Sequence, residues 1–191
     1  MKDSKTIRTF IAIEISEELH KFFYNLYNDV CKIPANIKWI NPDSIHLTLK
    51  FLGNIPKSQV EGVNISLQNS VKDSKKFNLL SSGKGAFPSL KKPRVFWVGL
   101  KEKESGALFR IHNMVEKEME KIGFVREKRK YNPHLTVGRV RGPLNLELVT
   151  KNFMNFPVPG IEFSVDRVLV MKSELTPQGA VYSIQKTVDL S

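Results

Sequence analysis

The chain holds a single cysteine, Cys31, among 191 residues. An internal disulfide is therefore excluded, and so is a zinc site of the Cys-rich kind. Long apolar runs are also missing: no stretch approaches the ~20 residues that cross a bilayer as a helix. The opening segment MKDSKTIRTFIAIEI carries basic residues, but its apolar part is only FIAI before Glu14 and no small-residue cleavage site follows. No secretory signal is expected, and a cytoplasmic protein is the simplest reading. Low-complexity segments and long linkers are absent too. Acidic residues are in the minority, with 19 Asp and Glu against 30 Lys and Arg, a formal charge of +11. Such an excess favours a polyanionic partner, nucleic acid first, although a generally basic surface would give the same count. With 41% apolar and 26% charged residues, the composition is that of a globular chain, long enough for one domain or two small lobes sharing a core.

What is present alternates between two periods. TFIAIEI (9–15), HLTLKFL (46–52), RVFWVGL (94–100) and HLTVGRV (134–140) read as strands. Ser16 can cap a helix with Glu17 and Glu18 in its first turn and a stripe of Leu19, Phe22, Phe23, Leu26 and Val30. Val60, Val63, Leu67 and Val71 predict a second helix within 56–71, with Pro56 near its start. Leu108, Ile111, Val115, Met119 and Ile122 predict a third, ended by Gly123. LNLELVTKNF is a weaker helical segment. KFNLLSS predicts a strand and GAFPSLKKPR a turn-rich connection. FSVDRVLVMKSEL (163–175) and AVYSIQKTVDL (180–190) predict paired strands joined by a turn at TPQG.

This order contains a repeat. Strand, helix and His-Leu-Thr recur at a spacing of about 86–88 residues, suited to a duplicated lobe with pseudo-repeats of roughly 8–53 and 94–140. Side chains alternate faces along a strand. His46 and Thr48 therefore point one way and Leu47 and Leu49 the other; His134 and Thr136 are set against Leu135 and Val137 in the same manner. Two of the four histidines carry this sequence. His20 and His112 lie in predicted helices and are expected at the surface or on a helix flank, while Trp39 and Trp97 are expected in the core.

Two histidines facing one cleft suit general acid–base chemistry near neutral pH, one ring taking a proton and the other giving one. Threonine hydroxyls and nearby cations could hold the oxygens of a phosphodiester. No acid lies inside either motif, which disfavours a magnesium site, and no third ligand at a usual spacing accompanies the histidines to hold zinc. No metal or other cofactor is expected. Lys50 shares parity with His46 and Thr48, so it either reaches the cleft or sits as a sheet-edge lysine. Arg139 has the wrong parity for a regular strand, but Gly138 could mark a bulge that turns it back. Between positions 126 and 141 six Lys or Arg face one acid, Glu127.

The paired HLTL and HLTV motifs resemble the two-histidine (2H) phosphoesterase superfamily, and within it the RNA 2′,3′-cyclic phosphodiesterases, also named 2′–5′ RNA ligases. RTFIAIEI, KWINPDSIHLTLKFLG, GAFP, PRVFWVGL, YNPHLTVGRV and MKSELTPQGAVYSI carry the likeness across nearly the whole chain. The resemblance implies a single bilobal α+β domain, residues 1–191, with two antiparallel sheets flanking a central cleft and helices outside. It implies metal-independent hydrolysis of RNA 2′,3′-cyclic phosphate ends to 2′-phosphates, with reversible 2′–5′ ligation as a companion activity. His46 would be the acid and His134 the base. Thr48, Thr136 and Arg139 would hold the phosphate, and Phe87 would stack a base or sugar or else fill the core. The expected partner is RNA bearing the cyclic end, met by a monomer away from membranes. Rival readings are a non-catalytic RNA-end-binding module, another 2H activity, and a zinc hydrolase.

Overall fold

In the computed structural model, which describes residues 6–103, 106–176 and 179–191, the first strand, β1 (Thr6–Ile13), ends in five consecutive buried residues. Burial on both faces marks a strand inside a sheet. Helix α1 (Glu17–Val30) follows. The Ser16 hydroxyl accepts the Leu19 N–H at 3.3 Å, the expected cap, and Leu19, Phe22, Phe23, Leu26 and Val30 are all buried. Each such large apolar side chain stabilises the fold by about 1.5–3 kcal/mol. Helix α2 (Val60–Val71) begins later than predicted, because Pro56 closes a strand and a short turn, Lys57–Gln59, intervenes. Helix α3 (Ala107–Lys121) ends at Gly123, whose φ of +93° is the left-handed conformation that glycine adopts without strain. The weaker segment forms α4 (Leu146–Asn155). Helix α1 packs on α4, and α2 on α3. No helix among the described residues is long and apolar enough to cross a membrane.

The other strands are β2 (Ile37–Trp39), β3 (Leu47–Pro56), β4 (Phe77–Ser89), β5 (Lys92–Glu102), β6 (His134–Val140), β7 (Glu162–Val165), β8 (Arg167–Thr176) and β9 (Gly179–Asp189). Three differ from expectation. The three residues of β2 are too few to reveal a period. The segment predicted as a strand and a turn-rich connection is one long strand, β4, because GAFPS continues the ladder with β5 to Ser89↔Lys92. The run 163–175 breaks at Asp166 into β7 and β8, which belong to opposite ends of the sheet. Residues 177 and 178 of the predicted TPQG turn lie outside the described residues; the ladder beside them closes at Thr176↔Gly179.

The strand order is β7-β4-β5-β6-β3-β1-β8-β9, with β2 on β6, and every pairing is antiparallel. The class is α+β. The expected pair of sheets is instead one connected ladder among the described residues. Its halves join through β3 and β6, whose ladder is the single residue pair Leu47↔Leu135.

Candidate active site

The Leu47↔Leu135 pairing decides what faces what. Both leucines are fully buried, so the residues beside them point to the opposite face. In this register His46 lies across from Thr136 and Thr48 across from His134. In a paired ladder such cross-strand neighbours have Cβ atoms about 4.5–5.5 Å apart. The two tripeptides thus interleave on one face of the sheet.

Each imidazole is held in the same way. His46 Nδ1 lies 2.9 Å from the Ser44 carbonyl, and His134 Nδ1 lies 2.7 Å from that of Asn132. A carbonyl can only accept, so Nδ1 carries the proton and Nε2 keeps the lone pair of the neutral ring. Burial lowers the pKa of both histidines. These backbone hydrogen bonds partly oppose the effect, and the positive charge of Arg139 adds to it. Neutral imidazoles are therefore favoured. An anion beside Arg139 would offset its charge and ease protonation of one ring.

Arg139 acts on both rings because β6 is bulged where Gly138 suggested. Trp97 pairs with Thr136 but Phe96 with Gly138, leaving Val137 extra; Val137 and Gly138 are buried and Arg139 is exposed. A Cβ on Gly138 would come within 2.7 Å of the Trp39 ring, so only glycine fits this contact. The same device in β3 removes Lys50 from the site. Ala12 pairs with Thr48 and Ile11 with Lys50, leaving Leu49 extra, so Lys50 turns inward. Its ammonium is buried and donates to Glu116 of α3 at 2.7 Å and to the Val125 carbonyl at 2.9 Å. Lys50 is neither a cleft cation nor an edge lysine. The cleft position passes instead to Phe51, which is 60% exposed.

Aromatic side chains wall the two histidines. Phe10 stacks on His46 at 4.7 Å, and Tyr182 of β9 meets the same ring edge-on at 5.1 Å. Phe87 meets His134 edge-on at 5.0 Å and lies 5.3 Å from Trp97. Phe87 is thus placed beside the site, and Trp97 is half-buried on the same face rather than in the core, since it pairs with Thr136. Trp39 does pack against the core, on Phe96. His20 is half-buried with Nδ1 2.9 Å from the Pro42 carbonyl. His112 is buried, not at the surface, because Tyr131 stacks on it at 3.9 Å. Sequence reasoning missed Phe10, Phe51 and Tyr182. The strand order places the rings of β1 and β9 near His46, and nothing local in the chain announces that order. Among the described residues no three His, Cys, Asp or Glu side chains cluster as a metal-ligand set.

Residues 36–177 match the 2′-5′ RNA ligase superfamily. A protein of Methanothermobacter thermautotrophicus named RNA 2′,3′-cyclic phosphodiesterase is 29% identical over 93% of this chain and 95% of its own. A protein of the same name from Thermotoga maritima is 32% identical, with 93% and 92% covered. Of solved structures, one from Thermus thermophilus superposes with a TM-score of 0.79 at 23% identity, covering 96% of this chain and 98% of that one. E. coli LigT complexed with 3′-AMP gives 0.76 at 20% identity, with 97% and 99% covered. These two likenesses are of fold.

Proposed function

Since the chain belongs to the 2′-5′ RNA ligase superfamily, we propose that it hydrolyses RNA 2′,3′-cyclic phosphate ends to 2′-phosphates by two-histidine acid–base catalysis. The observation that carries this reading is the interleaved pair of His-Leu-Thr motifs, each ring with Nδ1 committed to a carbonyl and Nε2 left for chemistry. His134 takes a proton from water as its oxygen attacks phosphorus. The bond from phosphorus to the 3′-oxygen breaks, and His46, protonated in the bound state, delivers its proton to that oxygen. Thr48, Thr136 and Arg139 hold the non-bridging oxygens, and Phe87 packs against the base or sugar. One positioned acid or base contributes about 10²–10⁴ in rate. Nothing in this scheme requires a metal or cofactor.

The two halves of the sheet act as lobes, with the cleft at their junction. The matched orders β1–α1–β3 and β5–α3–β6 support a duplication over roughly 8–53 and 94–140. A monomer is the simplest assembly for this reading, and a lone cysteine suits the cytoplasm. Ligation would use the same groups with an RNA 5′-hydroxyl in place of water: His134 takes its proton, the bond from phosphorus to the 3′-oxygen breaks, His46 protonates that oxygen, and a 2′–5′ diester remains.

The test is incubation with a short RNA ending in a 2′,3′-cyclic phosphate, with and without EDTA. The expected product is a 2′-phosphate in both. A 3′-phosphate would exchange the leaving oxygen. Loss of turnover in EDTA would favour a metal hydrolase, and tight binding without turnover an RNA-end-binding module.

A further inference from the structure

The segment 124–133, which leads from α3 into His134, has no helix or strand of its own, yet it is held by buried groups. Lys50 Nζ donates to the Val125 carbonyl at 2.9 Å, and the Glu127 N–H donates to Glu116 Oε2 at 3.0 Å. Tyr131 stacks on His112, and its hydroxyl donates to the Thr48 carbonyl at 3.1 Å. The hub is the ion pair Lys50–Glu116 at 2.7 Å, with both side chains at most 5% exposed. Burying two charges is costly, and a solvated loop needs no such anchor. The anchor fixes the backbone and turns the other side chains outward: Arg126, Lys128, Arg129 and Lys130 are all exposed. The sole acid among them, Glu127, grips Arg129 at 2.6 Å. Tyr131 ties this strap to β3 at Thr48, and the strap leads directly into His134.

We propose that the strap from Arg126 to Lys130 is a docking rim for the sugar–phosphate chain leading to the reacting end, making the protein selective for RNA ends over free cyclic mononucleotides. The selectivity rests on the function proposed above; the binding does not. A row of cations on an anchored backbone just before His134 fits a polyphosphate strand, and a preordered backbone loses little entropy on binding it. A cyclic phosphate occupies a 3′ end, so the chain on the rim is the one running 5′ from it.

The test compares the wild type with the triple variant Arg126→Ser, Lys128→Ser, Lys130→Ser. Anisotropy across a salt series measures binding of a dodecamer RNA ending in a 2′-phosphate. Kinetics give kcat/KM for the cyclic-ended dodecamer relative to a nucleoside 2′,3′-cyclic phosphate. We expect affinity for the dodecamer to fall about 10-fold or more at low salt. The slope of log affinity against log salt should become shallower by about 2, at ~0.7 per cation for a single strand. The dodecamer's kinetic advantage should shrink by a similar factor. Wild-type affinity and wild-type advantage in the variant would overturn the rim. If neither substrate turns over in the wild type but RNA binding still falls in the variant, the rim stands and the proposed function falls.

Discussion

Strands β3 and β6 carry the same device and end with opposite chemistry. In both, a histidine gives its Nδ1 proton to the carbonyl two residues back, a threonine follows on the same face, and a bulge comes just after. The bulge then places Lys50 in the interior of one half and Gly138 under Trp39 in the other. One position further, the cleft receives the exposed ring of Phe51 from β3 and the guanidinium of Arg139 from β6. The matched backbone of the two segments supplies two imidazoles held alike. The residues that follow break the equivalence: after its bulge β3 presents an exposed ring and β6 a guanidinium.

The harshest way to break the pair is to remove a ring. His46→Ala and His134→Ala should each lower turnover by about 10²–10⁴-fold, measured on a cyclic-ended RNA. The double variant should be little worse than the worse single one, because the two rings act as a unit. Near-normal rates in either single variant would remove that histidine from the chemistry.

The two bulges differ most in what their burial costs. Lys50→Met leaves Glu116 as an uncompensated buried charge and should destabilise the fold by about 3–5 kcal/mol, read from urea unfolding. Replacing both partners, Lys50→Met with Glu116→Leu, should recover most of that loss. If the single change is neutral, the pair is not the anchor that the geometry indicates.

These differences mark how far the sequence could be read. The parity of His46 with Thr48 and of His134 with Thr136 was legible because a strand has a period of two. The stripes of α1, α2 and α3 were legible because a helix has another. The bulge in β6 was legible because Gly138 punctuates it. Its twin in β3 leaves no such mark: Leu49 and Lys50 suit a regular strand, so Lys50 was assigned to the wrong face and Phe51 went unnoticed. Tyr182 and Phe10 needed the order β3-β1-β8-β9, a long-range property. The burial of His112 depends on Tyr131, nineteen positions away in the chain, folding back onto α3.

Arg139 tests the cationic side. If Arg139 holds the phosphate as proposed, Arg139→Ala should cost about 1.5–3 kcal/mol in kcat/KM, roughly 10–150-fold. It should also move the pH profile. The guanidinium disfavours the imidazolium of both rings and so holds both pKa values down. Without it both rise, each ring keeps its proton to higher pH, and the bell of kcat/KM against pH shifts to the alkaline side. A weaker but unshifted bell would keep Arg139 as a phosphate ligand and dismiss its field at the histidines.

The smallest effects carry the most information about direction. Valine matches threonine in shape and suits a strand as well, so Thr48→Val and Thr136→Val remove a hydroxyl with little else. A single neutral hydrogen bond is worth about 0.5–1.5 kcal/mol, so each change should slow turnover by a few fold to about tenfold. If the halves were equivalent towards phosphate, the two losses would match. Arg139 lies on one strand only, and an oxygen already held by a guanidinium depends less on a neighbouring hydroxyl. Thr48, across from His134 on the strand that lacks a cleft cation, should then be the more costly loss. Equal losses would place the phosphate on the axis between the strands, and leave the contrast between Phe51 and Arg139 to orient the rest of the RNA rather than the reacting group.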